Sequence, residues 1–220
     1  MSFNTDLLHA GVDREAKGAT LTPIYQSSAF EQDTAADLEK IFENKAPGFC
    51  YTRVGNPTVA AFENRITKLE GGMASIACAS GMAAIMNAIL NIVRSGDEIV
   101  SSASLYGGSI DLFRDIEEFG ITTRYVKNND WEAIEEAINE HTRLIFAETI
   151  GNPCLDVTDV ERLAQIAHEH KIPLILDNTT ATAYLFQGIK HGADIVVNSS
   201  SKYINGSSNS ISGILTYSGK

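Results

Sequence analysis

The chain has 220 residues, 44% of them hydrophobic and 20% charged, and its 17 Lys+Arg against 28 Asp+Glu give a net charge of −11. That is the composition of a globular domain with enough chain to bury a sizeable core, and its acidity disfavours nucleic acid or an anionic membrane surface as partner. No apolar run is long enough to cross a bilayer, the N-terminus lacks a basic stretch followed by an apolar core, and Cys50, Cys78 and Cys154 lack CxxC spacing. A cytoplasmic protein with no disulfide framework and no metal site is therefore expected.

In chain order, the first thirty residues hold few periodic apolar positions and read as an extended arm containing Pro23. Helical spacing covers 34–43, followed by the irregular loop APGFCYTRVGNP and a helix marked by Val59, Phe62, Ile66 and Leu69 that stops at Gly71-Gly72. From there strands alternate with helices: strand 74–79, helix from Met82 to Val93, strand 98–101, helix 107–119, strand 122–126 and helix 131–139. The alternation continues with strand 144–148, helix 160–169 and strands 173–177, 194–197 and 211–216. Such alternation requires crossover connections, and so predicts an α/β fold with a mostly parallel, buried sheet and helices on both faces.

Ligands of this architecture collect at the carboxyl ends of strands, and several chemically suggestive residues fall there. Ser80-Gly81-Met82 joins a strand to a helix, where free N–H groups and the helix dipole make an anion site; a plain serine N-cap gives the same pattern. Tyr106, in SLYGGS, can stack on a flat ring or pack in the core. Asn152 follows the strand ending at Glu148, where Asn-Pro turn chemistry is an equal explanation. Asp177 ends PLILD and can pair with a cationic ligand atom or cap the next element. Tyr51 and Arg53 lie in an irregular loop and can both donate to a phosphate. Lys202 follows Ser199, Ser200 and Ser201 beyond the strand at 194–197, and taken by itself reads as a solvated loop lysine. Together these groups describe a site for pyridoxal 5'-phosphate: a phosphate cradle, a stacking tyrosine, a carboxylate for the ring nitrogen and a lysine nucleophile.

The motifs YTRVGNPT (51–58), ASGMAAI (79–85), SLYGGS (104–109), ETIGNP (148–153), DNTTAT (177–182) and SSSKYINGSSNSISG (199–213) resemble, in order, those of the Cys/Met-metabolism pyridoxal-phosphate enzymes. The resemblance implies the large domain of the fold-type I enzymes over 58–220, preceded by an arm, a helix and an inter-subunit loop over 1–57. It implies that Lys202 carries the cofactor as a Schiff base and moves protons, that Asp177 faces the pyridine nitrogen, that Tyr106 stacks on the ring and that Asn152 lies near the ring oxygen. The backbone at Ser80, Gly81 and Met82 and the hydroxyls of Ser199 and Ser201 would hold the phosphate. Tyr51 and Arg53 would reach the phosphate of a neighbouring subunit, so the site would need a homodimer, within a homotetramer.

Within the family, ETIGNP and YTRVGNPT look most like O-acetylhomoserine sulfhydrylase, which implies γ-replacement on an O-activated homoserine by a sulfur donor, giving homocysteine in methionine biosynthesis. Cystathionine γ-synthase and the methionine or cystathionine γ-lyases are the alternatives. Methionine γ-lyases carry a cysteine two residues after the stacking tyrosine, where this chain has Gly108, and relatives show Gly-His after the lysine, where it has Gly206-Ser207-Ser208-Asn209. The family's C-terminal domain, which supplies an arginine for the substrate carboxylate, lies beyond this stretch, so a non-catalytic cofactor-binding fragment is a further alternative.

Overall fold

A computed structural model describes residues 2–12 and 18–220, and the chain divides into two compact units, Met1–Lys68 and Leu69–Lys220. In the first unit, residues 3–9 are helical rather than extended. Helix α1 (Phe3–His9) starts because Ser2 caps it, its Oγ accepting from the Thr5 N–H at 3.3 Å. Thr34 caps α2 (Ala35–Phe42) in the same way, and α3 (Pro57–Glu70) begins on a proline, the residue best suited to a first helical position. The arm is tied down by polar contacts: the Tyr25 N–H donates to Thr58 Oγ1 at 2.9 Å, and Arg65 Nε donates to the Ala10 carbonyl at 2.8 Å. Loop 47–56 lies beside the segment at 27–30 through an antiparallel bridge between Ala29 and Tyr51.

The second unit is a seven-stranded sheet. Its strands are β1 (Ala74–Cys78), β2 (Glu98–Ser102), β3 (Thr122–Val126), β4 (Thr142–Glu148), β5 (Leu174–Asp177), β6 (Ile195–Asn198) and β7 (Gly213–Tyr217), in the order β1-β7-β6-β5-β4-β2-β3. Every pairing is parallel except those of β7, which runs antiparallel to both β1 and β6. The expected mostly parallel sheet is therefore the one observed.

Because side chains alternate along a strand, each apolar run feeds two cores. Ile99, Leu144, Phe146, Ile175 and Val197 pack on α4 (Gly81–Ile92) and α5 (Gly107–Glu117) on one face. Val100, Ile145, Ala147, Leu174, Leu176 and Val196 pack on the other, against α6 (Trp131–Ala137) and α7 (Val160–Glu169). The β5–β6 crossover is filled by two short elements absent from the sequence reading, α8 (Thr182–Leu185) and a 3-10 turn at Gly188–His191. They are too short to show a hydrophobic period.

The register brings the carboxyl ends of the strands to one edge. Glu148 of β4 is opposite Asp177 of β5, Asp177 is opposite Val197 of β6, and the first residue of β7, Gly213, is opposite Cys78. Gly213 permits this closure. A Cβ there would lie 2.0 Å from the Ser80 carbonyl oxygen, so only glycine lets β7 start against the turn that leads into α4.

Candidate active site

A cleft of about 770 Å³ opens at that edge. Ser80, Gly81, Met82, Tyr106, Asn152, Asp177, Ser199, Ser201 and Lys202 all line it. Nine of the eleven residues singled out in the sequence thus meet in one place. The other two, Tyr51 and Arg53, belong to the first unit, where the Arg53 guanidinium lies 5.5 Å from the centroid of the Tyr51 ring.

The first turn of α4 lines the cleft. Ser80 is its N-cap, with Oγ accepting from the Ala83 N–H at 3.1 Å. The Gly81 and Met82 N–H groups precede any carbonyl the helix could offer, and neither donates to another group among the described residues. A Cβ on Gly81 would sit 2.5 Å from that of Ser199, so the glycine brings the helix N-terminus against the chain leaving β6. There the Ser199 N–H donates to Thr179 Oγ1 at 2.8 Å, which leaves the Ser199 hydroxyl beside the open helix turn. Ser201 differs: its Oγ donates to the Ser212 carbonyl at 3.1 Å and accepts from the Ser212 N–H at 2.9 Å, so it is engaged in holding the loop.

Lys202 follows in a tight turn, its N–H donating to the Ser199 carbonyl at 3.1 Å and its own carbonyl accepting from the Gly206 N–H at 2.8 Å. Its side chain is exposed to the cleft. Asp177 lines the same cleft. Its Oδ1 accepts from the Thr179 N–H at 2.9 Å and from Thr179 Oγ1 at 2.5 Å, while Oδ2 has no donor among the described residues. Burial pushes this carboxyl up from its ordinary value, and the Thr179 donors offset only part of that rise. A positive charge brought to Oδ2 would therefore be held strongly. Tyr106, 51% exposed, offers its ring to the cleft from the N-cap of α5.

Two residues of the site that the sequence motifs contain but assign no role are Thr179 and Glu148. Glu148 is 5% exposed; its Oε1 accepts from the Tyr106 N–H at 2.7 Å and its Oε2 from the Asn152 N–H at 3.1 Å. Burial first, and then the charges of Asp177 and Asp156, push its carboxyl up to about 7. At the end of the apolar run LIFAE it looks like a strand terminus, because its partners are 42 and 4 residues away.

Comparison with known proteins agrees with this geometry. Residues 4–220 match the family model described as Cys/Met metabolism PLP-dependent enzyme. The O-acetyl-L-homoserine sulfhydrylase of Corynebacterium glutamicum is 43% identical over 99% of this chain and 51% of its own length. The L-methionine gamma-lyase of Fusobacterium nucleatum is 38% identical over 97% of this chain and 54% of its own. The structure of a Campylobacter jejuni O-acetylhomoserine (thiol)-lyase with N'-pyridoxyl-lysine-5'-monophosphate superposes with a TM-score of 0.95 at 35% identity, over 99% of this chain and 54% of that one. The chain spans about half the length of the relatives it matches.

The residues present fit the family's cofactor, pyridoxal phosphate. An open helix N-terminus suits a phosphate, an exposed aromatic face suits a flat ring, and a cleft-lining carboxylate oxygen with no donor among the described residues suits a protonated ring nitrogen. From the match over nearly its whole length and from the assembled cleft, the chain belongs to the Cys/Met metabolism PLP-dependent enzyme family.

Proposed function

We propose that this chain is the cofactor-binding part of an enzyme that performs γ-replacement on an O-activated homoserine, O-acetylhomoserine in the first instance, with a sulfur donor, yielding homocysteine. The carrying observation is the single cleft that Lys202, Asp177, Tyr106 and the open first turn of α4 all line. When bound, the cofactor supplies an electron sink for charge that develops at the substrate's α-carbon.

This chain's residues do the rest. Lys202 would hold the cofactor through its Nζ and supply the group that moves a proton at the substrate carbon. Asp177 Oδ2 holds the proton on the ring nitrogen, and the Thr179 donors to Oδ1 keep the carboxylate aimed there. Tyr106 would stack on the cofactor ring, Asn152 would serve its ring oxygen, and the Gly81 and Met82 N–H groups with the Ser199 hydroxyl would hold its phosphate. Residues 58–220 form the cofactor domain in this reading. Residues 1–57 form an arm whose Tyr51 and Arg53 serve a second copy in a dimer, two of which make a tetramer.

Replacement is favoured over elimination from methionine by Gly108, which stands where methionine γ-lyases carry a cysteine. A Cβ there would meet Tyr106 Cε1 at 2.5 Å, so the ring lies folded over the first turn of α5 in space that any side chain at 108 would occupy. The 38% identical L-methionine gamma-lyase keeps elimination as the second reading. The test is a pair of assays on the protein with pyridoxal phosphate: homocysteine formation from O-acetyl-L-homoserine and sulfide, and 2-oxobutyrate release from methionine or cystathionine. Homocysteine formation as the dominant activity supports replacement, and dominant 2-oxobutyrate release overturns it.

A further inference from the structure

Glu148 is a charged residue in the middle of a sheet, between β2 and β5, at a point where burial is unfavourable for it. Each of its two oxygens accepts one backbone N–H, from Tyr106 at 2.7 Å and from Asn152 at 3.1 Å. Tyr106 is the N-cap of α5 and no side chain caps that helix, so the carboxylate also faces the positive end of an 11-residue helix. The two loops joined in this way, one after β2 and one after β4, each present a residue to the cleft that Glu148 itself lines.

We propose that Glu148 is a positioning residue, a clasp whose two carboxylate oxygens fix the Tyr106 loop against the Asn152 loop and so set the placement of the stacking ring and the ring-oxygen partner around the cofactor. This rests on the reading of the cleft as a pyridoxal-phosphate site. The clasp needs both oxygens as acceptors, because a proton on either one would face an N–H donor and free one loop. Two charged groups bear on it, Asp177, opposite it on β5, and Asp156, in the loop after β4, and Lys202 lines the same cleft. The repulsion from Asp177 is relieved when a cationic ring nitrogen is placed against that carboxylate, so cofactor binding and a closed clasp reinforce one another.

The test uses the whole chain with pyridoxal phosphate. Glu148→Gln keeps the size of the side chain but turns an amide nitrogen toward one of the two N–H groups. It should weaken cofactor affinity by about tenfold, the loss of one hydrogen bond to a charged acceptor. It should also reduce the induced circular dichroism of the cofactor band, with the cofactor-free protein still unfolding cooperatively. Wild-type affinity and dichroism in Glu148→Gln would overturn the clasp, as would a fall in cofactor-free stability with affinity intact. If the variant does not fold, NMR on the wild-type cofactor-free protein decides: the Tyr106 and Asn152 amide resonances should titrate together with a midpoint of about 7. Amides that do not move, or move separately, would overturn the proposal. Absence of cofactor uptake by the wild type would instead sink the cofactor reading, while the amide titration would still judge the clasp.

Discussion

Replacing Glu70 by glutamine should make the protein more stable at pH 8 and much less so at pH 5.5. Glu70, the last residue of α3, is 1% exposed. Its Oε1 accepts from Asn178 Nδ2 and Asn198 Nδ2, each at 3.3 Å, and its Oε2 has no hydrogen-bond partner among the described residues. Burial pushes the carboxyl up from 4.5 to about 7, against the pull of the two amides and the Gly188 backbone. The unfolded chain therefore loses this proton first, and stability present below the ordinary glutamate value is lost as pH rises through the folded one. Between pH 5.5 and pH 8 the loss is about 2 kcal/mol, at ~1.4 kcal/mol per tenfold change in proton activity. In Glu70→Gln the amide oxygen still accepts from both asparagines, and there is no charge to bury. Urea unfolding of wild type and Glu70→Gln at the two pH values isolates this residue, since Glu148 and Asp177 titrate in both proteins. Parallel pH dependence in the two would refute the reasoning.

Two further substitutions test the architecture of the cleft. Gly213→Ala forces a Cβ to within 2.0 Å of the Ser80 carbonyl, so it should destabilise the chain by about 2 kcal/mol or more and weaken cofactor binding by displacing the α4 turn. Thermal unfolding and a fluorescence titration with pyridoxal phosphate check both effects, and a stability change below about 0.5 kcal/mol contradicts the packing argument. Thr179→Val removes the hydroxyl donor to Asp177 and the acceptor for the Ser199 N–H at once. Cofactor affinity should drop about tenfold and be restored by Thr179→Ser, measured by equilibrium dialysis; equal affinity in all three proteins would remove Thr179 from the site.

What the sequence made legible was whatever depends on local spacing. The alternation of short apolar runs with 3.6-period segments placed every strand of the sheet to within about two residues. The rule that ligands gather at strand carboxyl ends then picked out Asp177, Tyr106, Asn152 and Lys202, all of which line the cleft. Contacts made across long sequence separations were not legible. Glu148 gives no local sign that it accepts from Tyr106, and Gly213 gives none that it makes room for Ser80. The Ser201 hydroxyl, which the motif assigns to phosphate, is bound to Ser212, eleven residues on. Helix α1 was missed because a seven-residue helix is set by its Ser2 cap and tertiary packing rather than by an apolar stripe.

In the proposed reading, Lys202 is the residue on which the cofactor site depends most directly. The protein incubated with pyridoxal phosphate should show the visible absorption of a lysine-bound cofactor, and borohydride reduction followed by peptide mapping should find the pyridoxyl group on Lys202, with none taken up at that peptide by Lys202→Ala. A reduced adduct on another lysine, or no adduct at all, would contradict the assignment of this cleft as the cofactor site.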